Sequence, residues 1–520
     1  MKNTTFFYFR INRKFFSNYK HFILAIILFF CAALTHEIKA QQPMPFLIEN
    51  NSEYNDDELY IAIVGQDLSN ERAHIWVDMK TGNQIPMNPS YNKIQGPEYG
   101  GNKGPGGAGM YADCFTKLSE IPNKTVSLAP IQGCRMFVGI KSQLYLYFFG
   151  STGAQVGYAS PSHTNPTDPN TGINYEIIEL TYNQYGFWGN TSRVDSYNYP
   201  MGLELTGNDN FFKSTGELLS HETIQQQFLN SVPSEFINCL DTETGQIFQP
   251  TKTADFADGT VGTMPDPGPH KDYMKPYIDA IWAKYENEDL IFAAGDAGVW
   301  KGRVVNEQLV MTAISGGFTG RQGIITRRPT TQEAFEGKGV LDNRVNDGTV
   351  DLIIQAQVCA ALTRHVIDVT TPNVGQQDWS DPSKYYLQSP CNHYAKFWHQ
   401  QGIRVNQMAY GFAYDDVFDQ SSTLHSPSPT QVKVIIGGYY TNPTSTQEVS
   451  SATSLYPNPA INIIYINLFN LVDIFDAQGR LVFTGNNPGN QIDVSNLPTG
   501  VYYLRGQNDD KFSVTSFIKK

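Results

Sequence analysis

Glu179 and Asp195 stand sixteen residues apart in INYEIIELTYNQYGFWGNTSRVDSYNYP, Ile173 to Pro200, a stretch otherwise rich in Thr, Tyr, Asn and Gly. YEIIELTYN has the β-branched and aromatic content of a strand, where alternate residues share a face. Glu179, Thr181 and Asn183 then line one side, and Ile178, Leu180 and Tyr182 the other. GFWGN supplies a turn, and SRVDSYNYP reads as a second strand with Arg193, Asp195 and Tyr197 on one face. Pairing about Phe187 sets Glu179 opposite Asp195. Two facing carboxylates repel, which raises the pKa of one and suits acid–base work. Glycoside hydrolysis uses such a pair, with one carboxyl protonated to release the leaving oxygen and one ionised to activate water or attack the sugar. Trp188 at the turn would offer a flat surface to a pyranose ring. Spacing alone does not select this pair, because acids on neighbouring strands are usually solvated, and Glu176, Glu204, Asp209 and Asp415 are equally available.

Other reactive residue types are weaker candidates. Cys391, Asn392, His393 and His399 in CNHYAKFWHQ hold the atoms of a Cys–His nucleophile, but no oxyanion-type turn accompanies them, and a helix start with capping polar groups is the favoured reading. Asp415 and Asp416 in YDD read as structural hydrogen-bonding groups, with charge for an acidic cleft as a second role. Ser315 in ISGGF lacks the GxSxG elbow. GPEYGGNKGPGGAG has neither a following helix nor a GK[ST] ending, so it reads as a loop and not as a phosphate cradle. Cys114, Cys134, Cys239, Cys359 and Cys391 show no CxxC pair and no His spacing for zinc, and Cys114 with Cys134 is the pairing to expect if a bridge forms. A net charge of -13 without a Lys/Arg cluster argues against a phosphate-backbone partner such as nucleic acid and favours a neutral or cationic ligand.

The elements that must position the pair follow from patterning. A basic start up to Lys20, thirteen apolar residues from Phe22 to Leu34 and a polar stretch ending at Ala40 form a secretory signal, residues 1–40, too short to span a bilayer. From 41 to 207, short alternating runs such as LYIAIVG, AHIWVDM, RMFVGI and QLYLYFF between Gly, Pro and Asn clusters predict a β-barrel or sandwich domain, completed by about 408–440 through AYGFAYDDVFDQSS and QVKVIIGGYY. Residues 208–407 predict a mixed α/β domain, with helices at STGELLSHETIQQQFLNSVPSEF, HKDYMKPYIDAIWAKY and the nearly apolar VDLIIQAQVCAALTRHVI. Residues 441–454 have linker composition, and 455–520 repeat strand and turn signals at the spacing of a small β-sandwich.

IIELTYNQYGFWGNTSRVDSYNYPMGLEL resembles the signature of glycoside hydrolase family 64, endo-β-1,3-glucanases that release short laminari-oligosaccharides. The likeness extends to STGELLSHETIQQQFLNSVPSEF, QVCAALTRHV and AYGFAYDDV, the last also similar to plant thaumatin-like proteins, and covers roughly Pro43 to Tyr440. The loops Ser160 to Asn174 and Gly320 to Asp347 match less well. The resemblance implies Glu179 as general acid and Asp195 as general base of an inverting mechanism without metal or organic cofactor. It further implies Thr181, Asn183 and Trp188 along the substrate groove, and a thaumatin-like barrel or sandwich packed on an α/β domain across a wide electronegative cleft. Inversion needs carboxyls roughly 6.5–9.5 Å apart, whereas directly opposed residues have Cβ atoms only about 4.5–5.5 Å apart, so the strands must be staggered, splayed or separated. LYPNPA, VDIFDAQGRLV, IDVSNLPTGVYYLR and the final FIKK resemble the type IX secretion sorting domain. The expectation is a secreted or cell-surface monomeric endo-β-1,3-glucanase with β-1,3-glucan and the type IX secretion machinery as partners. A non-catalytic thaumatin-like β-glucan-binding protein is the alternative, and an adhesin retaining its C-terminal domain a third reading.

Overall fold

The first layers are strands buried on alternate residues in Tyr175–Asn183 and Gly186–Thr191 and, over much of their length, on both faces in Leu59–Asp67 and Ile131–Ile140. In Leu59–Asp67 and Ile131–Ile140 the inward residues Ile61, Ile63, Met136 and Val138 are fully buried, as are Ile178 and Phe187 of Tyr175–Asn183 and Gly186–Thr191. The computed structural model describes residues 42–440 and 455–520, apart from 69, 98–108, 151–155, 166, 261–263, 265, 467–470, 478–479, 487–490 and 509–510. The expected leader and linker, and most of the glycine-rich segment after Gly96, lie outside the described residues. Two compact units are present, Met1–Asn442 and Pro443–Lys520.

In the first unit an eight-stranded sheet runs from Leu424–Ser426 through Gly186–Thr191, Tyr175–Asn183, Ile131–Ile140, Leu59–Asp67 and Asn70–Val77 to Gln84–Pro86, with Thr116–Lys117 also paired to Leu59–Asp67. A five-stranded sheet has the order Phe212–Gly216, Met201–Gly207, Pro429–Ile436, Met44–Asn50, Thr125–Leu128. Neither sheet closes on itself among the described residues. One core cluster joins Phe46, Leu203 and Val434 of the smaller sheet to Ile61, Met136 and Ile178 of the larger. The late strand Pro429–Ile436 sits in the middle of the smaller sheet, parallel to Met44–Asn50 and antiparallel to Met201–Gly207.

The segment between carries its own core, in which Trp282 of helix Lys275–Tyr285, Trp300 of strand Val299–Val305 and Ile354 of helix Gly348–Arg364 are fully buried. The last helix is apolar nearly all round and is enclosed accordingly. Helix His221–Ser231 starts where Ser220 accepts from the Thr223 N–H, and buries Ile224 and Phe228. AYGFAYDDVFDQSS, expected as strand, folds as turns apart from a single bridge between Ser192 and Tyr410. Asp415 is the reason: fully buried, it accepts from the Gly411 N–H, Arg364 and His399, curling the segment around itself. QLYLYFF keeps only Tyr147–Phe149 as strand.

All five cysteines of the described residues are buried and free. Cys114 and Cys134 belong to cores on opposite faces of the eight-stranded sheet, so the expected bridge is not formed. In the second unit, a three-stranded and a four-stranded sheet share a core that includes Ile464, Ile474 and Leu504.

The hairpin that carries Glu179 depends on Gly186, which has φ 123° and whose added Cβ would meet the Ser426 carbonyl oxygen. Gly186→Ala should therefore cost more than about 1 kcal/mol, seen as a lowered denaturation midpoint.

Candidate active site

Glu179 sits mid-strand on the outer face of the eight-stranded sheet. Its cross-strand neighbours are Arg135 on one side and Asn190 on the other. Arg135 Nε and Nη2 each lie 3.3 Å from Glu179 Oε1, and 40% of the Glu179 side chain is exposed. Among the described residues Oε2 takes no hydrogen bond from the protein.

The expected register is not the observed one. The strands pair about the Gln184–Tyr185 turn, with Thr181 opposite Trp188 and Tyr182 opposite Phe187, so Asn190 and not Asp195 faces Glu179. The turn closes where Asn183 Oδ1 accepts the Tyr185 N–H at 2.9 Å. SRVDSYNYP is not a continuation of that strand. Gly186–Thr191 ends, Arg193 turns into the core, and a separate two-residue strand, Ser196–Tyr197, pairs with Ile247–Phe248. Arg193 and Tyr197 are fully buried while 54% of the Asp195 side chain is accessible, so the three do not share a face. Arg193 is drawn inward by Glu176 at 2.5 Å and Glu217 at 2.9 Å. The Asp195 carbonyl oxygen accepts from the Gln249 N–H at 3.0 Å, which fixes the bend.

The two acids nevertheless meet in one depression, lined also by Arg135, His163, Lys252 and Lys338. An adjoining depression shares Arg135 and Glu179 and continues along Thr181, Trp188 and Asn190. Glu179 thus stands at the junction of a groove that crosses the sheet. Trp188 lines it with its ring stacked on His425, centroids 4.4 Å apart and planes 10° from parallel. Thr181 Oγ1 accepts the Gly133 N–H at 3.3 Å. Asn183 stands apart, at the hairpin turn, and lines neither depression.

Residues 42–436, which hold this entire groove, match the glycoside hydrolase family 64 profile, described as beta-1,3-glucanase. The chain belongs to this family. It is similar to a glucan endo-1,3-beta-glucosidase of Cellulosimicrobium cellulans, 26% identical over 277 residues, 52% of this chain and 46% of that protein. The match therefore spans about half of that curated relative's length. The crystal structure of a β-1,3-glucanase domain from Clostridium beijerinckii is 30% identical with a TM-score of 0.64, covering 76% of this chain and 99% of that one. A laminaripentaose-producing β-1,3-glucanase from Paenibacillus barengoltzii is 25% identical with a TM-score of 0.54, covering 78% of each chain. Residues 454–520 match the secretion system C-terminal sorting domain.

In the depression around the acids, Arg135, Lys252 and Lys338 balance Glu176, Glu179 and Asp195 in number. The Asp195 side chain is 54% accessible yet set among the groove walls, whose desolvation would push its carboxyl up, but Lys252 at 3.1 Å, helped by His163 and Lys338, holds it below the usual carboxylate range. Burial pushes His163 down to about 4, leaving a neutral ring at neutral pH. That ring lies within 3.0 Å of the Tyr175 hydroxyl and 3.1 Å of Ser196 Oγ, and anchors the wall formed by the 160–164 loop.

Arg135, Lys252 and His163 were not singled out by sequence. Arg135 had a readable signal, a lone charge between the buried Cys134 and Met136 of RMFVGI, which alternation puts on the outer face beside Glu179. Lys252 reaches the groove from the short 3-10 turn Pro250–Lys252 and His163 from a loop, and nothing local in the sequence marks either.

Proposed function

We propose that the protein is a secreted endo-β-1,3-glucanase that hydrolyses laminarin-like glucan with inversion and releases short laminari-oligosaccharides. The observation that carries this is the presence of Glu179 and Asp195, from different segments, in one open groove on a β-1,3-glucanase-family chain. Glu179 acts as general acid: Oε1 rests on Arg135, leaving Oε2 to carry a proton to the departing glycosidic oxygen. Asp195, kept ionised beside Lys252, takes a proton from the attacking water. Because Asn190 stands opposite Glu179, the acids are not direct cross-strand neighbours, which favours the wider separation that inversion requires over the roughly 5 Å of retention. Thr181 and Trp188 extend the groove for further sugar rings, while Asn183 closes the hairpin turn.

In this reading 41–207 with about 408–440 form a thaumatin-like β domain and 208–407 the α/β domain. Residues 1–40 direct export, and the sorting domain at 455–520 hands a monomeric enzyme to the type IX machinery, as the match of residues 454–520 supports. Proton NMR of the first product from laminarin is expected to show the α-anomer. An initial β-anomer contradicts inversion, and no release of reducing ends from curdlan or laminarin contradicts the enzyme reading.

A further inference from the structure

Asp195 is the more accessible partner of an ion pair whose other half is nearly enclosed. Lys252 Nζ lies 3.1 Å from Asp195 Oδ1 and 3.5 Å from Glu336 Oε1, with side-chain exposures of 14% for Lys252, 15% for Glu336 and 54% for Asp195. Among the described residues Asp195 Oδ2 takes no hydrogen bond from the protein. An exposed ion pair contributes little. This lysine differs, because two carboxylates and its own short 3-10 turn, Pro250–Lys252, fix where the ammonium group sits.

The fixing is continuous with the backbone of Asp195. Gln249, whose N–H holds the Asp195 carbonyl, caps that turn by accepting the Thr251 N–H at 2.8 Å, and the Thr251 hydroxyl donates to Glu336 at 2.9 Å. Glu336 ends the helix Thr331–Glu336, which begins in a capping box of Thr330 and Glu333. The helix is tied inward where its Ala334 carbonyl accepts from Thr363 of the buried helix Gly348–Arg364.

We propose that Lys252, braced by Glu336, is a positioning residue for Asp195, clamping one carboxylate oxygen so that the other is presented to the nucleophilic water. This rests on the assignment of Asp195 as general base. The titratable groups around Asp195 are Lys252 and Lys338 from the α/β side, with Glu336 against Lys252, His163 from the loop wall, Tyr175 behind it, and Arg135 with Glu176 and Glu179 from the sheet. Of these, Lys252 is the largest charge effect that lowers the Asp195 pKa, against the burial that raises it. Removing it raises the pKa of the base, so less of it is ionised at a given acidic pH, and the acid limb of kcat/KM moves to higher pH.

The test is the pH profile of laminarin hydrolysis by the full chain, with kcat and KM separated, for K252M, K252R, E336Q and D195N, each checked by thermal melting. K252M is expected to lower kcat roughly 10- to 100-fold with little change in KM, and to move the acid limb upward. K252R keeps the limb near that of the wild type because the cation remains, and E336Q loses kcat without an upward move. K252M with wild-type kcat and limb overturns the clamp, as does K252R shifting the limb as far as K252M. If K252M does not fold, K252R and E336Q decide: an upward limb in either overturns the proposal. Full turnover by D195N removes the base assignment itself, whereas an inactive D195N beside a wild-type-like K252M removes only the clamp.

Discussion

Glu179→Gln is expected to lower kcat on laminarin by about 10²- to 10⁴-fold, the range that a positioned acid contributes. Its melting temperature should stay near that of the wild type. Glu179 is 40% exposed, and its Arg135 contacts are both 3.3 Å, so losing that pair costs little in stability. The same loss of kcat is expected of Asp195→Asn, but for the opposite proton transfer, and the leaving group separates the two. On a laminari-oligosaccharide carrying fluoride or dinitrophenolate, the departing group needs no proton, so Glu179→Gln should recover most of its turnover. Asp195→Asn should not, because the water still has to be deprotonated. Reducing-end release and fluoride or phenolate release from the two substrates measure this. Normal laminarin turnover by either variant rejects its role, and equal recovery of both variants on the activated substrate rejects the division into acid and base.

What the sequence revealed of this arrangement is the part set by local periodicity. Ile178, Leu180 and Tyr182 are buried and Glu179, Thr181 and Asn183 are not, as a period of two requires. The nearly apolar run in Gly348–Arg364 is a helix because it is long and its polar residues are few. Register was not local. It is set by the Asn183 Oδ1 acceptor and the positive φ of Gly186, which tighten the turn to Gln184 and Tyr185 and move Asn190 to where Asp195 was expected. The fate of SRVDSYNYP was still less local, because Arg193 leaves the strand for counter-charges at Glu176 and Glu217, the latter twenty-four residues on. Strand reasoning set Asp195 beside Glu179 through a register that does not form; its place in the depression comes instead from a bend held by Gln249, with Lys252 beside its charge.

Arg193→Met should destabilise the first unit by about 3–5 kcal/mol, the cost of leaving buried carboxylates without their partner. Arg193 is 0% exposed and donates to Glu176 Oε2 at 2.5 Å and to Glu217 at 2.9 and 3.0 Å, and Arg404 pairs with Glu217 from the other side. Glu176 in turn accepts the Asn198 and Tyr199 N–H groups at 2.7 and 2.8 Å, and Glu217 accepts that of Met201. The network therefore ties the Glu179 strand to the segment leading out of Asp195, joining the two halves of the groove through the core. Methionine fills much of the space but leaves Glu176 charged or forces it to protonate. Adding Glu176→Gln should recover part of the lost stability, because the amide still accepts from Asn198 and Tyr199 while the uncompensated charge is gone. Denaturant midpoints of the single and double variants measure both effects. If Arg193→Met unfolds like the wild type, the buried pairs are not what holds the Asp195 bend against the sheet.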